Sequence, residues 1–203
     1  AISGTLSLDI MMENYKADFF QQKLNEIDEL SSHLSSTIDE FRNFYKANKE
    51  LQKESLKKIV DDSLRIIAPS IENKNITIDI EIDENVFVKS YVTEIKQVLL
   101  NIIKNAEDAL LEKQIQGAKI SITGVQKDNF AQLIIEDNAG GIAQDIINKI
   151  FEAYFSTKKD KDGTGLGLYM SKMIIEDHCK GKLEVKNSKS GARFIITLPF
   201  DID

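Results

Sequence analysis

The first fifty residues follow the hydrophobic pattern of two amphipathic helices. Residues 1–15 are predicted to form a short apolar helix, and from 21 to about 50 the apolar positions alternate by three and four, with Ser31 as one polar interruption. This heptad seam consists of Leu24, Ile27, Leu34, Ile38, Phe41 and Tyr45. Since two helices of this size cannot bury such a stripe alone, the pattern predicts a hairpin that dimerises into a four-helix bundle. Packing of both helices onto the rest of the same chain is the alternative.

From about Ser55 onward the pattern becomes a mixture of helices and strands. We predict helices over 56–71, 92–111, 144–151 and 166–178, and strands over 76–82, 119–125, 131–136, 182–186 and 193–198. Because these elements are interleaved without a regular strand–helix–strand repeat, they favour a mixed sheet covered on one face by helices. The predicted fold class is therefore α+β, with a helical hairpin over 1–50 and a two-layer α/β sandwich over 51–203.

Composition and charge narrow the classes of function. The 203 residues are 42% hydrophobic and 29% charged, the balance of a soluble globular protein rather than of a fibre or a disordered chain. No apolar run approaches the roughly 18 residues of a membrane-spanning helix, and no secretory leader is recognisable. A net charge of −7 argues against nucleic-acid binding. The single cysteine, Cys179, excludes an internal disulfide and favours a cytoplasmic protein.

The predicted helix over 92–111 has an unusual polar edge. Its apolar face consists of Val98, Leu99, Ile102, Ile103, Ala106 and Ala109. The edge beside it consists of Glu94, Asn101, Asn105 and Asp108. Asparagine is a mediocre helix former, so two of them one turn apart need a reason. They either satisfy nearby backbone groups or face a ligand, and the oxygen of Asn105 suits Mg²⁺, which takes few protein oxygens and keeps several waters.

A turn with two glycines follows the strand over 131–136. It reads Glu136-Asp137-Asn-Ala-Gly140-Gly141-Ile142. A carboxylate at Asp137 can accept hydrogen bonds from the exocyclic amine of a base, and the glycines let the backbone approach a flat ring. An ordinary strand-end turn with an Asx cap explains the same residues. The turn by itself is weak evidence for base recognition.

A third motif is a basic, glycine-rich loop that runs into a helix. The segment extends from Phe151 to Lys158, continues through Lys159 and Lys161, and ends in Gly163-Thr-Gly165-Leu-Gly167-Leu168. It is neither a Rossmann fingerprint, since no strand precedes it, nor a P-loop, since no Gly-Lys-Ser/Thr follows. The free N–H groups of a helix start bind anions. A solvated loop explains any one lysine, whereas a mobile lid over a polyphosphate explains the whole segment.

In this order the motifs resemble the Bergerat-type ATPase and kinase superfamily, specifically the catalytic core of bacterial two-component sensor histidine kinases. The resemblance covers about 55–199. Asn101-x-x-x-Asn105 resembles the N box, Asp137-x-Ala-x-Gly141 the G1 box, residues 151–158 the F box, residues 163–167 the G2 box and Gly191-Ala192 the closing glycine motif. Residues 37–45 also resemble the second helix of the dimerisation and phosphotransfer hairpin of these kinases.

The resemblance implies a sandwich of the Bergerat type that binds ATP and Mg²⁺. Asn105 would ligate the metal and Asn101 would help to position the phosphates, Asp137 would bind the adenine amine, and residues 151–167 would form the ATP lid. The other implied nucleotide-binding residues are Asp108, Gly141, Ile142, Phe151, Thr157, Lys158, Gly163, Thr164, Gly165, Leu166, Gly167 and Leu168. Ala139 stands where the G1 pattern usually has its first glycine, and its methyl group is tolerable if the backbone angles there are ordinary.

The residue at position 101 separates kinases from hydrolytic relatives. The chaperone, gyrase and mismatch-repair members of the superfamily carry a glutamate one turn before the metal-binding asparagine, where it activates water. The amide of Asn101 cannot act as a general base, so phosphoryl transfer is favoured over ATP hydrolysis. An ATP-driven conformational switch, or ATPase, of the same superfamily is the alternative, and a non-catalytic dimeric scaffold is a third reading.

Neither histidine of the chain fits the expected phosphate acceptor. Kinases of this kind phosphorylate a histidine in the first hairpin helix, with a proline a few positions on. His33 lies on the predicted second helix without a following proline, and His178 ends a later helix. We therefore expect the acceptor upstream of Ala1, in a longer protein. The resemblance further implies a homodimer through the hairpin, a cognate response regulator, and a cytoplasmic location, either free or as the cytoplasmic part of a membrane sensor. It implies no nucleic acid and no membrane contact by this part.

Overall fold

The computed structural model describes residues 19–25, 27, 31, 50–158 and 164–201. The chain divides into two compact units, Ala1–Arg42 and Asn43–Asp203. In the first unit the described residues are helical and exposed, and Leu24 and Ile27 of the predicted seam are 54% and 59% exposed. The helical stretch over 1–15 and the seam beyond Ser31 lie outside the described residues, as do His33 and residues 37–45.

The second unit contains the remaining elements. In chain order they are β1 (Gln52–Ser55), α1 (Leu56–Glu72), β2 (Thr77–Ile82), β3 (Phe87–Ser90), α2 (Val92–Glu112), β4 (Lys119–Lys127), β5 (Phe130–Asp137), α3 (Gly167–Met173), a π-helical turn (Ile174–His178), β6 (Lys182–Asn187) and β7 (Ala192–Pro199). No helix among the described residues is long and apolar enough to cross a membrane.

Five strands form one mixed sheet in the order β2-β4-β5-β7-β6. β2 and β4 are parallel, and the other neighbouring strands are antiparallel. The register of β5 and β7 places Glu136 opposite Arg193, and an ion pair of 2.6 Å joins these two side chains. As a result, the turn that contains Gly191 lies beside Asp137 at the end of β5. The mixed sheet and the α+β class agree with the sequence-based prediction.

The helices cover one face of this sheet. Along β5 the buried positions alternate strictly, with Ala131, Leu133, Ile135 and Asp137 on the covered side. The apolar face predicted for α2 is buried against this layer, apart from Ala109, which is half-buried. Burial of that face fixes the rotation of α2 and directs its polar edge toward α3, the helix that follows the glycine-rich loop.

Three sequence-based predictions of elements need correction. The strands β1 and β3 were missed, because each has only four residues; they form a separate two-stranded sheet. The helix predicted over 144–151 is a series of turns. Its bonds include Lys149 N–H to Ile146 O at 2.7 Å and Glu152 N–H to Lys149 O at 2.9 Å, each spanning three residues. The apolar spacing there reflects burial of single side chains rather than a regular helix.

The third correction concerns the helix predicted over 166–178. It begins at Gly167 and changes to a π-helical turn at Ile174. The N–H of Cys179 donates to the carbonyl of Ile174 at 2.9 Å, a bond that spans five residues. The wider turn buries both Ile174 and Ile175 and brings His178 to the beginning of α2.

Candidate functional site

The two asparagines of α2 are joined by a hydrogen bond and face α3. The side-chain amide of Asn105 donates to Asn101 Oδ1 at 3.4 Å, and Asn101 Nδ2 donates to the Ser171 hydroxyl at 2.9 Å. Both asparagines are partly buried. Asn101 therefore has a partner at each end of its amide, whereas Asn105 Oδ1 accepts no hydrogen bond from the residues that the structure describes.

Close backbone contact brings the start of α3 against α2. A Cβ atom at Gly167 would lie 2.5 Å from Asn101 Oδ1, inside van der Waals contact. The Ser171 hydroxyl, one turn further along α3, donates to Gly167 O at 2.9 Å. A side chain at position 167 would displace the Asn101 amide, and the glycine-rich loop ends where it touches the asparagine pair.

Asp137 lies at the end of β5 in an almost closed environment. It is 5% exposed. Its Oδ1 accepts hydrogen bonds from Ala139 N–H at 2.8 Å and from Ala192 N–H at 3.2 Å. Burial raises the pKa of Asp137, against these two backbone bonds, which lower it. The other carboxylate oxygen remains available for a ligand that donates a hydrogen bond.

Gly191, in the turn before β7, lies directly against Asp137, so the closing glycine motif does more than complete the sheet. A Cβ atom at Gly191 would overlap the backbone carbonyl of Asp137 and lie 2.5 Å from its Oδ1. Backbone atoms cannot move aside as a flexible side chain can. The Gly191 turn is therefore shaped to fit around this carboxylate.

We expect Gly191→Ala to destabilise the fold by about 1–3 kcal/mol, the usual cost of overpacking a filled interior. Chemical denaturation measures the change as a lower unfolding midpoint. Lys189→Ala, a substitution at an exposed position of the same turn, serves as the control and should leave the midpoint in place. An unchanged midpoint for Gly191→Ala would show that the turn has more room than the structure gives it.

The double-glycine turn after Asp137 is held from two sides. Gly140 and Gly141 have φ angles of 78° and 80°, in the left-handed region that favours glycine. Ala139 is buried and is not in that region, so its methyl group is accommodated. The Nζ of Lys113 donates to Ala139 O at 2.6 Å and to Gly141 O at 3.1 Å. The turn is thereby fixed to the residue that follows α2.

Ile142, at the end of this turn, is held by Asn187 of β6. The Oδ1 of Asn187 accepts from Ile142 N–H at 2.9 Å, and its Nδ2 donates to Ile142 O at 2.7 Å. A Cβ atom at Gly141 would lie 2.7 Å from the same oxygen. Gly141 and Ile142 are therefore fixed in place before any ligand binds.

The described part of the predicted lid is anchored to α2 by charge. Lys158 Nζ lies 2.7 Å from Asp108 Oδ2, and Lys104 Nζ lies 3.0 Å from Asp108 Oδ1. Burial would raise the pKa of Asp108, but the hydrogen bonds from these two lysines outweigh it and leave the pKa lowered. Phe151 packs edge-on against Phe194, with ring centres 6.5 Å apart.

The remaining predicted nucleotide-binding residues follow the same loop. Thr157 is exposed, Leu166 is buried and Leu168 is half-buried. Thr164 Oγ1 accepts a hydrogen bond from Leu166 N–H at 3.3 Å, and Gly165 O accepts one from Tyr154 N–H at 3.0 Å. Gly163 lies outside the described residues, together with Lys159 and Lys161.

Contacts of α2 and of the residue that follows it therefore bring three of the predicted motifs together. Asn101 touches Gly167, Asp108 pairs with Lys158, and Lys113 holds the turn at Gly141. At about 1.5 Å per residue, positions 101 to 113 extend over roughly 18 Å. Such a length suits an extended ligand with chemically different ends rather than a single ion.

Three residues of this site were missed by sequence reasoning: Ser171, Lys113 and Asn187. Each acts through a contact with a residue distant in sequence. Serine, lysine and asparagine are also common on protein surfaces, so their residue types did not mark them as functional. Asn187 had a weak signal, since it directly follows the strand predicted over 182–186 and precedes the turn at Gly191. Ser171 and Lys113 had none that a single sequence provides.

His178 is bonded to a buried carboxylate in the first turn of α2, before the asparagine pair. Its Nδ1 lies 2.8 Å from Glu94 Oε2, and Glu94 is almost fully buried. Tyr91 packs edge-on against the imidazole ring at 6.5 Å. The histidine is therefore part of the packing between α2 and the π-helical turn.

The oxygen donors of the site suit a magnesium ion that is held mainly by a phosphate-bearing ligand and only in part by the protein. Among the described residues, no group of three or more His, Cys, Asp and Glu side chains could hold a metal. Asn105 Oδ1 is a neutral oxygen without a hydrogen-bond partner in that part of the chain, and Mg²⁺ accepts one such oxygen beside phosphates and waters. The site fits Mg²⁺ only together with a phosphate-bearing ligand.

Comparison with known sequences identifies a family for most of the second unit. The model of the histidine kinase-, DNA gyrase B- and HSP90-like ATPase family matches residues 90–202. A putative NtrY-like sensor histidine kinase of Rickettsia conorii is 36% identical over 110 residues, which cover 54% of the present chain and 17% of that relative. The chain thus spans less than a fifth of this relative's length.

Solved structures give the same similarity in three dimensions. The nucleotide-free catalytic domain of histidine kinase ThkA has a TM-score of 0.67 and 30% identity, and the match covers 75% of this chain and 97% of that domain. Histidine kinase ThkA in complex with the response regulator TrrA has a TM-score of 0.67 and 25% identity, covering 87% of this chain and 48% of that one.

Proposed function

The chain belongs to the histidine kinase-, DNA gyrase B- and HSP90-like ATPase family and contains the catalytic core of a sensor histidine kinase, and from this premise we propose that it transfers the γ-phosphoryl group of Mg·ATP to a histidine. The phosphoryl group would then pass to an aspartate of a response regulator. The family's nucleotide is ATP. Magnesium, the individual roles of residues and the acceptor are parts of the proposal.

One observation carries this proposal: Asn101 and Asp108 on the polar edge of α2, and Lys113 directly after the helix, each contact a different motif. Position 101 also supports transfer over hydrolysis. Both ends of the Asn101 amide are engaged in hydrogen bonds, and an amide does not take a proton from water at neutral pH. Asn101 would therefore not activate a water molecule, which makes a protein nucleophile the better acceptor.

Each motif has a separate role in the proposed reaction. Asp137 would accept a hydrogen bond from the adenine amine through its free oxygen, while the fixed turn at Gly141 would lie against the ring. Lys158 has three N–H donors, of which Asp108 engages one, so the others can bind phosphate oxygens. Asn105 Oδ1 would hold Mg²⁺, which when bound neutralises the charge of the phosphates. Positioning of the reactants and neutralisation of the phosphate charge would then supply most of the rate enhancement.

We place the acceptor histidine in a longer protein, upstream of Ala1. His178 supports this placement because its Nδ1 is bonded to the buried Glu94 in the first turn of α2, about two turns before Asn101. His33 lies outside the described residues. We propose two domains for the chain, a hairpin over 1–50 and a catalytic domain over 51–203.

The acceptor is tested by labelling with ATP that is radioactive at the γ-phosphate. The longer protein should gain acid-labile phosphate on a histidine upstream of Ala1, and His33→Gln with His178→Gln should leave that labelling unchanged. Acid-labile phosphate on His33 or His178 would refute the placement. Steady release of phosphate without any labelled protein would instead favour the ATP-driven switch.

The partners that we propose are a second copy of the chain and a response regulator. Exposure of Leu24 and Ile27 on a helical segment supports the first, because an apolar heptad seam is buried when two hairpins pair. The second is supported by the structural similarity to ThkA in its complex with TrrA. Sedimentation of the chain and of a variant with both residues changed to Ser would test the dimer.

A further inference from the structure

We propose that Ser171 is a positioning residue that fixes the orientation of both asparagine amides, so that Asn105 presents an oxygen rather than an NH₂ group to the cation. This inference rests on the proposed function. It assigns a role to a side chain of α3 that would not itself touch nucleotide or metal.

The hydrogen bonds form a chain with a single direction. Ser171 has one O–H, and it donates to Gly167 O at 2.9 Å. The hydroxyl oxygen can therefore only accept from its next neighbour, and Asn101 Nδ2 donates to it at 2.9 Å. Asn101 must then turn its oxygen toward Asn105, whose Nδ2 donates to it at 3.4 Å.

The direction of this chain decides which atom of Asn105 is free. Because Asn105 uses its NH₂ group toward Asn101, its Oδ1 points away from the pair. If Asn101 were flipped, its NH₂ group would face Asn105, and Asn105 would have to turn its oxygen inward to accept. A donor would then stand where the cation needs an oxygen, and an NH₂ group cannot ligate Mg²⁺.

Burial makes Ser171 hard to replace with water. The residue is 3% exposed, so little solvent reaches its hydroxyl. The backbone of Gly167 also lies close against the Asn101 amide, where a Cβ atom would be 2.5 Å from Asn101 Oδ1. The same contacts connect the metal ligand to the helix that follows the lid, since Ser171 and Gly167 both belong to α3. A displacement of α3 would therefore release the amides and weaken the cation site.

A purely structural explanation of Ser171 must also be tested. Serine hydroxyls inside helices commonly donate to the carbonyl four residues earlier. Ser63 in α1 does so with Ile59 O at 2.8 Å, is fully buried, and has no other side-chain bond among the described residues. Ser63→Ala thus removes the same hydroxyl from the same helical geometry without contact to the asparagines, and it is the matched control for Ser171→Ala.

Calorimetric titration with a non-hydrolysable ATP analogue, with Mg²⁺ and with a chelator, separates the two roles. Ser171→Ala should lose about 10- to 100-fold in affinity with Mg²⁺, the usual effect of removing a group that orients a metal ligand. Its affinity in chelator should stay within about twofold of wild type. Ser63→Ala should bind like wild type in both conditions, and thermal unfolding should shift similarly for the two variants.

Two results would overturn the inference. One is wild-type affinity of Ser171→Ala with Mg²⁺, and the other is an equal loss with and without the metal, which would indicate a general structural role. A wild-type protein that binds the nucleotide no better with Mg²⁺ than without it would overturn the proposed function as well. The wild-type titration thus separates failure of the inference from failure of the function on which it rests.

Discussion

Asn105→Ala should lower phosphoryl transfer from Mg·ATP by about 10²- to 10³-fold, the effect of removing one preorganised polar contact from a transition state. The only free oxygen of the asparagine pair, within the described part of the chain, is Asn105 Oδ1. Alanine leaves no atom in its place. Because alanine also has the higher helix propensity, α2 should remain folded and the unfolding midpoint should not fall.

The rate is measured as initial transfer of labelled γ-phosphate in the longer protein at saturating nucleotide and Mg²⁺. Asn148→Ala, at an exposed position in the turns before the lid, is the control and should transfer at the wild-type rate. Wild-type transfer by Asn105→Ala would remove the metal assignment and with it the proposed role of the N box.

Asp137→Asn should weaken binding of adenine nucleotides by roughly 10- to 100-fold, the range for a hydrogen bond to a buried charged group. Asp137 Oδ1 is held by the N–H groups of Ala139 and Ala192. An asparagine that keeps these bonds must place its NH₂ group where the free carboxylate oxygen was. That group would face the adenine amine, so two donors would oppose each other.

The loss for Asp137→Asn should be equal with and without Mg²⁺, because the base site is separate from the metal ligand. Fluorescence or calorimetric titration measures it. Glu136→Gln is the control, since Glu136 pairs with Arg193 on the outer side of β5 and should not affect affinity. Unchanged binding by Asp137→Asn, or a loss only in the presence of Mg²⁺, would contradict the assignment of the base site.

Long elements with strong periodicity could be predicted from the sequence because burial imposes their pattern. α2 was expected over 92–111 and extends over Val92–Glu112. Along β5, predicted over 131–136, alternate residues are buried against the helices. The four-residue strands β1 and β3 are too short to show alternation, and the turns over 144–151 bury Ile147 and Ile150 at a spacing that a helix would share.

The candidate site was predictable only as a set of motifs. Asn101 and Gly167 could each be named as candidate ligands, but their direct contact depends on how α2 and α3 pack, which local sequence does not encode. Asp108 and Lys158 were both assigned to the nucleotide, and in the structure they bind each other. Ser171 and Lys113 acquire their roles from partners far along the chain, so no spacing could have marked them.

The central claim is that a magnesium–nucleotide complex binds along the polar edge of α2, with Asn105 as the metal ligand. Titration of the purified chain with a non-hydrolysable ATP analogue, in magnesium and then in chelator, tests it most directly. The account predicts saturable binding that is at least about tenfold tighter with Mg²⁺, and loss of that difference in Asn105→Ala. No binding, or equal affinity in the two buffers, would contradict it.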